Sequence, residues 1–450
     1  MTATLEAPAS VPPEGLLSSR YRAPTLGIVL LVTLLAFDEM AVGTALPVTV
    51  RDLGGLPLYA WAFSATLIAS LLANVLAGGW ADVSGPTRPL LVGLAAFVAG
   101  LLVAGLAPGM GWFVAGRAIQ GLGAGAAIVA MYVVIARAYP EELRPRVFSA
   151  LAAAWVVPSL VGPTIAGLVA EHLHWRWVFL GLIPLVVPAI VMLVPALRQS
   201  GGGTGTLSRS RSLAAVAVAG GAALLLYGID HAAVVLAVLL AVLGLTGLAA
   251  GLPRLLPPGT LRLRRGMPTA VAMRGLFAIG FFGTEAFVPL ALTSLHGFTP
   301  TQAGIVLTVG ALGWAGASWV QGRSTRSRPF FVILGAALVA TGVTATVLTT
   351  PIYGWLAAPA WVVAGAGMGF GLSSLSVLVM NQSAPAAQGT NSAAMQISDT
   401  IGASLAVGIA GALVTGSAHL GEGIAAAGAL TSLVAIVGVI AAFRVEAPHD

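Results

Sequence analysis

Cysteine is absent from the 450-residue chain, which excludes disulfides and thiolate metal ligands. Lysine is absent as well, so all 21 basic residues are arginine. The six histidines are scattered without the spacing that metal ligands need, and no metal is expected. Charge of either sign is scarce: Asp, Glu, Lys and Arg make up 8% of residues, where a soluble domain carries roughly 25%. So few charges cannot cover the surface of a soluble fold of this length. Neither HExxH nor GxSxG occurs, nor any nucleotide-binding motif. The chain does not read as an enzyme, no cofactor is expected, and ATP drive is disfavoured.

What the chain has in abundance is apolar length. Apolar residues make up 58% and the mean hydropathy is +0.97. Apolar segments recur throughout, many reaching about 20 residues, enough to cross about 30 Å of hydrocarbon. In lipid these must be helices, because each backbone amide needs an internal partner. The spacing predicts an all-α integral membrane protein with 14 spans. Six fall within residues 25–197 and six within 269–444, each set a bundle. The other two, Leu213–Ile229 and Ala232–Gly251, lie in a connecting region, 198–268, that opens with the Gly-rich linker Gly201-Gly202-Gly203-Thr204-Gly205. Residues 1–24 read as a polar, Pro-containing cytoplasmic tail without signal-peptide character, and 445–450 as a second tail.

Arginine placement orients the spans. With the N-terminus taken as cytoplasmic, every arginine falls in an inside loop except Arg51 and Arg176 outside and Arg117 within a helix; Arg274 is counted inside, near a helix start. Removing one span would reverse every later loop and destroy this agreement. Removing the central pair would not, and there segment length decides for 14. The net charge of +6 is then explained by cytoplasmic loops, without nucleic acid. The all-arginine, Ala/Gly/Val-rich composition suggests a GC-rich bacterial genome. A multi-pass protein of the bacterial inner membrane with both termini cytoplasmic is expected.

Two six-span sets imply an internal repeat. Ala45-Leu46-Pro47 at the end of the first span is echoed by Phe287-Val288-Pro289, and Gly78-Gly79-Trp80-Ala81-Asp82 by Trp319-Val320-Gln321-Gly322-Arg323. The intramembrane charges Asp38, Glu39, Arg117, Glu285 and Asp399 carry the chemistry. A charge at the bilayer centre costs at least about 2.5–3.5 kcal/mol, so each needs a reason. Asp38 and Glu39 point about 100° apart on one helix. One is expected to face a central cavity and the other a neighbouring helix. Carboxylates buried in such a cavity can load and release protons near neutrality. Small residues follow Arg117, allowing close helix packing, and an arginine there can pair with a carboxylate and switch its protonation.

Arg117, Gln120 and Gly121 resemble the fourth-helix motif of the major facilitator superfamily, which implies that Arg117 takes part in proton coupling. Gly162, Pro163 and Gly167 resemble the fifth-helix motif of its exporters, from which Pro158 and Ala166 depart. Asp38 through Ala45-Leu46-Pro47 resembles the first helix of its fourteen-helix drug:proton antiporters, with Met40 and Gly43 in place of the usual residues. The loop Gly78–Arg88 resembles the superfamily loop at Asp82 and Gly85, though only Arg88 remains of its basic residues. Around Gln396 and Gly402 the chain resembles a stretch that usually carries arginine where Asp399 stands. The resemblance implies a proton-coupled efflux antiporter of amphipathic or hydrophobic small molecules, driven by the proton gradient. Its partners would be substrate, protons and lipid, and a monomer is expected. A proton-coupled uptake symporter on the same fold is the alternative, and an integral membrane enzyme or receptor a remote one. No residue in the sequence names the substrate. A single cysteine replacing Ser200 in this Cys-free chain is expected to resist an impermeant thiol reagent applied to intact cells; labelling there would overturn the orientation.

Overall fold

The computed structural model describes residues 15–199, 201, 208–231, 234–384 and 387–446. Residues 1–14 of the expected tail, most of the Gly-rich linker, residues 232–233 and residues 447–450 lie outside these; the turn expected at Asp230-His231 is instead the end of a helix. Helix is the only regular structure among the described residues, and 14 stretches are long and apolar enough to cross a membrane.

The first bundle contains α1 (Arg22–Leu53), α2 (Trp61–Ser84), α3 (Thr87–Gly105), α4 (Met110–Ala138), α5 (Arg144–His172), α6 (Arg176–Leu180) and α7 (Ile183–Gln199). A hairpin follows, α8 (Arg209–His231) and α9 (Val234–Leu255). The second bundle contains α10 (Met267–Glu285), α11 (Val288–His296), α12 (Pro300–Arg323), α13 (Arg328–Thr349), α14 (Ala357–Asn381), α15 (Gln388–Gly416) and α16 (Leu420–Ala442). Helices α6 and α7 together make one span, as do α10 and α11.

The first span of the second set, expected to be one helix, is broken between α10 and α11. Pro289 explains it: the residue has no N–H, and its ring would clash with the carbonyl four residues earlier, that of Glu285. The chain kinks at Ala286-Phe287, and the Tyr59 hydroxyl from the first bundle donates to the freed Ala286 carbonyl at 2.7 Å. Tyr59 is buried and its ring packs on Phe287.

The two bundles use the same helix pairs. In the first, α3 packs on α4, α2 on α4 and α1 on α5; in the second, α13 packs on α14, α12 on α14 and α10 on α15. Between the bundles α5 packs on α12 and α2 on α15, again a reciprocal pair. The inter-bundle hydrogen bonds gather at the arginine-poor end. Besides Tyr59 to Ala286, Ser64 Oγ donates to the Ser404 carbonyl at 3.1 Å, and the Thr164 and Thr308 hydroxyls lie 2.9 Å apart. The bundles are therefore closed on each other at that face.

The hairpin lies along the α2–α15 seam. Helix α8 packs on both, with Leu226 against Gly408, while α9 turns Val235, Val238 and Val242 outward, where lipid would cover them. Within the first bundle, the closest approach is that of α2 and α4. A Cβ on Gly121 would lie 2.9 Å from the Thr66 carbonyl carbon, and Thr66 Oγ1 donates to the Arg117 carbonyl at 3.1 Å. Gly121→Val is expected to push α2 from α4 and destabilise the protein by about 1–3 kcal/mol, the usual scale of overpacking. Thermal unfolding in detergent checks this, and an unchanged midpoint would contradict the packing described.

Candidate functional site

Asp38 on α1 meets Arg117 and Gln120 on α4. Arg117 Nη1 donates to Asp38 Oδ2 at 2.9 Å and to Gln120 Oε1 at 3.1 Å, and Gln120 Nε2 donates to Asp38 Oδ1 at 3.0 Å. Arg117 Nε donates to the Ala62 carbonyl on α2 at 3.2 Å. Arg117 and Gln120 share a helix face by their i, i+3 spacing. Gly121 lets α2 come near enough to offer that carbonyl. Relative exposures of 5% for Asp38, 3% for Arg117 and 0% for Gln120 show a desolvated triad. Such charges persist only if paired and hydrogen-bonded, and both Asp38 oxygens have donors.

Glu39, the next residue, is exposed, and no hydrogen bond or ion pair is formed by it or by the half-buried Glu285 among the described residues. Glu285 ends α10 at the kink, and its charge and that of Glu39 lie within electrostatic reach of each other. The two belong to different bundles.

Asp399 on α15 is paired. Arg274 Nε donates to its two carboxylate oxygens at 2.9 and 3.0 Å, Nη2 also contacts Oδ2, and Nη1 donates to Ser376 Oγ on α14 at 3.3 Å. Arg274, counted with the inside arginines near a helix start, lies deeper than that count implies. Helix α10 begins at Met267, so Arg274 lies two turns within it, and the Asp399 countercharge makes that position tolerable. The two residues are 125 positions apart, and no spacing signal links them.

The loop residues stand apart from this cluster. Asp82, in the last turn of α2, and Arg88, in the first turn of α3, are exposed at the arginine-rich end. Gly85 ends α2 with φ of 80°, a conformation that side chains disfavour. Pro158, Gly162, Pro163 and Gly167 all lie on α5. Their contacts differ. A Cβ on Gly167 would meet the Pro300 carbonyl oxygen of α12 at 2.6 Å, whereas one on Gly162 would meet only Met40 and Phe37 of α1, at 3.4 and 3.7 Å. Pro163 offers its backbone to Gly304 of α12. The seam with α12 is thus made at Pro163, Thr164 and Gly167, and Gly162 faces α1. Sequence reasoning missed Tyr59 and Thr308, whose roles arise only from contact between bundles.

Two bundles with matching helix pairs, a broken helix at their interface and ionisable groups on both sides of it define a secondary-transporter architecture. Comparison with known proteins agrees. The sequence profile of the Major Facilitator Superfamily matches residues 28–407, and the chain belongs to that superfamily. A Mycobacterium tuberculosis protein named "probable multidrug-efflux transporter" is 30% identical over 455 aligned positions, covering 95% of each chain. "Multidrug resistance protein 3" of Bacillus subtilis is 25% identical and covers 87% of this chain and 79% of its own. The crystal structure of a D-xylose–proton symporter shares the fold with a TM-score of 0.67 at 16% identity, covering 95% of this chain and 98% of its own. That of an auto-inhibited POT-family peptide transporter gives 0.69 at 15%, covering 94% and 98%.

Removing one partner of the buried pair should cost more than removing both. Arg117→Leu leaves Asp38 without its countercharge and is expected to destabilise by about 3–5 kcal/mol. Adding Asp38→Leu should recover much of that loss. Unfolding midpoints of the single and double variants test this; a double variant no more stable than the single one would mean that the pair is not a coupled unit.

Proposed function

We propose that the protein is a proton-driven efflux antiporter that exports amphipathic or hydrophobic small molecules by alternating access. Its arginine-rich face is cytoplasmic, as the positive-inside rule requires, in a bacterial inner membrane with both termini inside. It acts as a monomer and needs no cofactor. The observation that carries the reading is the division of labour among carboxylates. Asp38 is held by Arg117 and Gln120, while Glu39 and Glu285 sit unpaired between the bundles.

An antiporter must make its two loads compete. Protonation of Asp38 removes the charge that anchors Arg117 and loosens a contact that binds α1, α2 and α4 together. Glu39 and Glu285 come from opposite bundles, so their charge state governs how closely the bundles can approach. A substrate occupying the space between them excludes water and alters the same balance. The Arg274–Asp399 pair does comparable work inside the second bundle, joining α10, α14 and α15.

The uptake symporter remains the second reading, since the D-xylose–proton symporter shares this fold. Export is favoured by the close α5–α12 seam and by the printed names of the relatives. Asp38→Asn and Glu285→Gln keep shape and lose titration. In proteoliposomes with an imposed pH gradient, each is expected to reduce substrate movement towards the level of empty liposomes while the protein remains folded. Wild-type rates in both variants would remove these carboxylates from coupling, and substrate moving with protons rather than against them would favour symport.

A further inference from the structure

At the arginine-poor end, one carboxylate crosses the seam between the bundles. Glu171 lies at the end of α5, four residues after Gly167 and therefore on the same helix face, against the N-terminus of α12. Its Oε2 accepts from the Thr301 hydroxyl at 2.6 Å and from the Thr301 backbone N–H at 3.3 Å.

The start of α12 shows why this contact is more than a helix cap. Helix α12 already caps itself. Thr299 Oγ1 accepts from the Gln302 N–H at 3.3 Å, and Gln302 Oε1 accepts from the Thr299 N–H at 3.0 Å, a complete capping box. Pro300 has no N–H to satisfy. Thr301 alone in this first turn has a backbone donor that its own helix does not occupy, and the acceptor comes from the other bundle. The positive end of the α12 dipole adds to the attraction for an ionised carboxylate and not for a neutral acid. The contact therefore contributes only while the bundles are closed at this face and Glu171 is charged. It is exposed, so protons reach it directly from the medium.

We infer that Glu171 is a proton-sensitive latch which holds the arginine-poor face closed when ionised and lets it open when protonated. The inference rests on the proposed antiport, in which that face is external. A more acidic exterior would then favour the conformation that exposes the coupling carboxylates to external protons. The Thr301 hydroxyl holds the Glu171 carboxyl below the usual carboxylate range, and Thr299 and the positive form of His172, next on the same helix, act in the same direction, so release falls on the acid side of that range. Glu171 is a positioning residue, since it acts on the bundle equilibrium and not on substrate.

The test is a distance measurement. Spin labels on Gly111→Cys and Ala418→Cys, at the arginine-poor ends of the two bundles, report opening in lipid nanodiscs of the full chain. A background of Asp38→Asn, Glu39→Gln and Glu285→Gln silences the other interface carboxylates. In that background, acidifying the buffer should raise the ratio of long to short distances about threefold, the scale of an exposed charged contact. Glu171→Ala should hold the long-distance fraction, at every pH, at the level the parent reaches only in acid, and so abolish the response. Thr301→Val, which keeps the backbone donor, should shift the populations in the same direction by less. A Glu171→Ala protein that keeps most of the parent's pH response overturns the latch. The readout needs no transport: a chain that latches without exporting sinks the proposed function alone, and one that exports without the latch sinks only this inference.

Discussion

Within hydrocarbon no water is available to complete a broken backbone hydrogen bond, and nearly everything in this structure follows from that constraint. It makes every span a helix. It also disciplines the polar side chains, many of which turn back on their own helix: Thr49 donates to the Ala45 carbonyl, Thr346 to that of Gly342 and Ser376 to that of Leu372. Where Pro289 breaks a span, carbonyls at the break need other donors, and Tyr59 serves that of Ala286 from the opposite bundle. The kink that frees a carbonyl thereby becomes a point of contact between the two halves, and it lies beside Glu285.

The scaffold is more symmetric than its chemistry. Matching helix pairs build both bundles, and matching pairs join them. The charges do not follow. In the first bundle a buried arginine on α4 meets a carboxylate on α1; in the second an arginine on α10 meets a carboxylate on α15. Each pair neutralises itself at the cost of desolvation and fixes the crossing of the helices that carry it. Among the described residues, the intramembrane carboxylates left without partners are Glu39 and Glu285, one from each bundle. Balanced charge holds each bundle together, and unbalanced charge lies where the bundles move against one another.

The two seams are also unlike. The α2–α15 seam is covered along its length by α8, which packs on a helix from each bundle, while the α5–α12 seam relies on close backbone approach at Gly167 and Gly304 and on hydroxyl and carboxylate contacts near its end. Relative motion of the bundles must shear α8 against at least one of its neighbours. The glycines of α5 confer proximity, and its polar groups confer a contact that can be made and released.

The number of spans was legible in the sequence because bilayer thickness acts on each segment separately. The candidate charges were legible too, since an ionisable group in an apolar run stands out wherever it points. Pairing was not. Asp38 lies 79 positions from Arg117, and Arg274 lies 125 from Asp399. Arg274 read as a residue near a helix start, with nothing in the sequence to show that α15 brings its countercharge alongside. Gly162 and Gly167 belong to one motif, yet only the packing showed that the first faces α1 and the second α12. Local hydrophobicity determines whether a residue lies in the membrane, and short-range rules reveal that by themselves. Which partner a buried charge or a glycine meets depends on how distant helices cross, and the tertiary structure alone decides it.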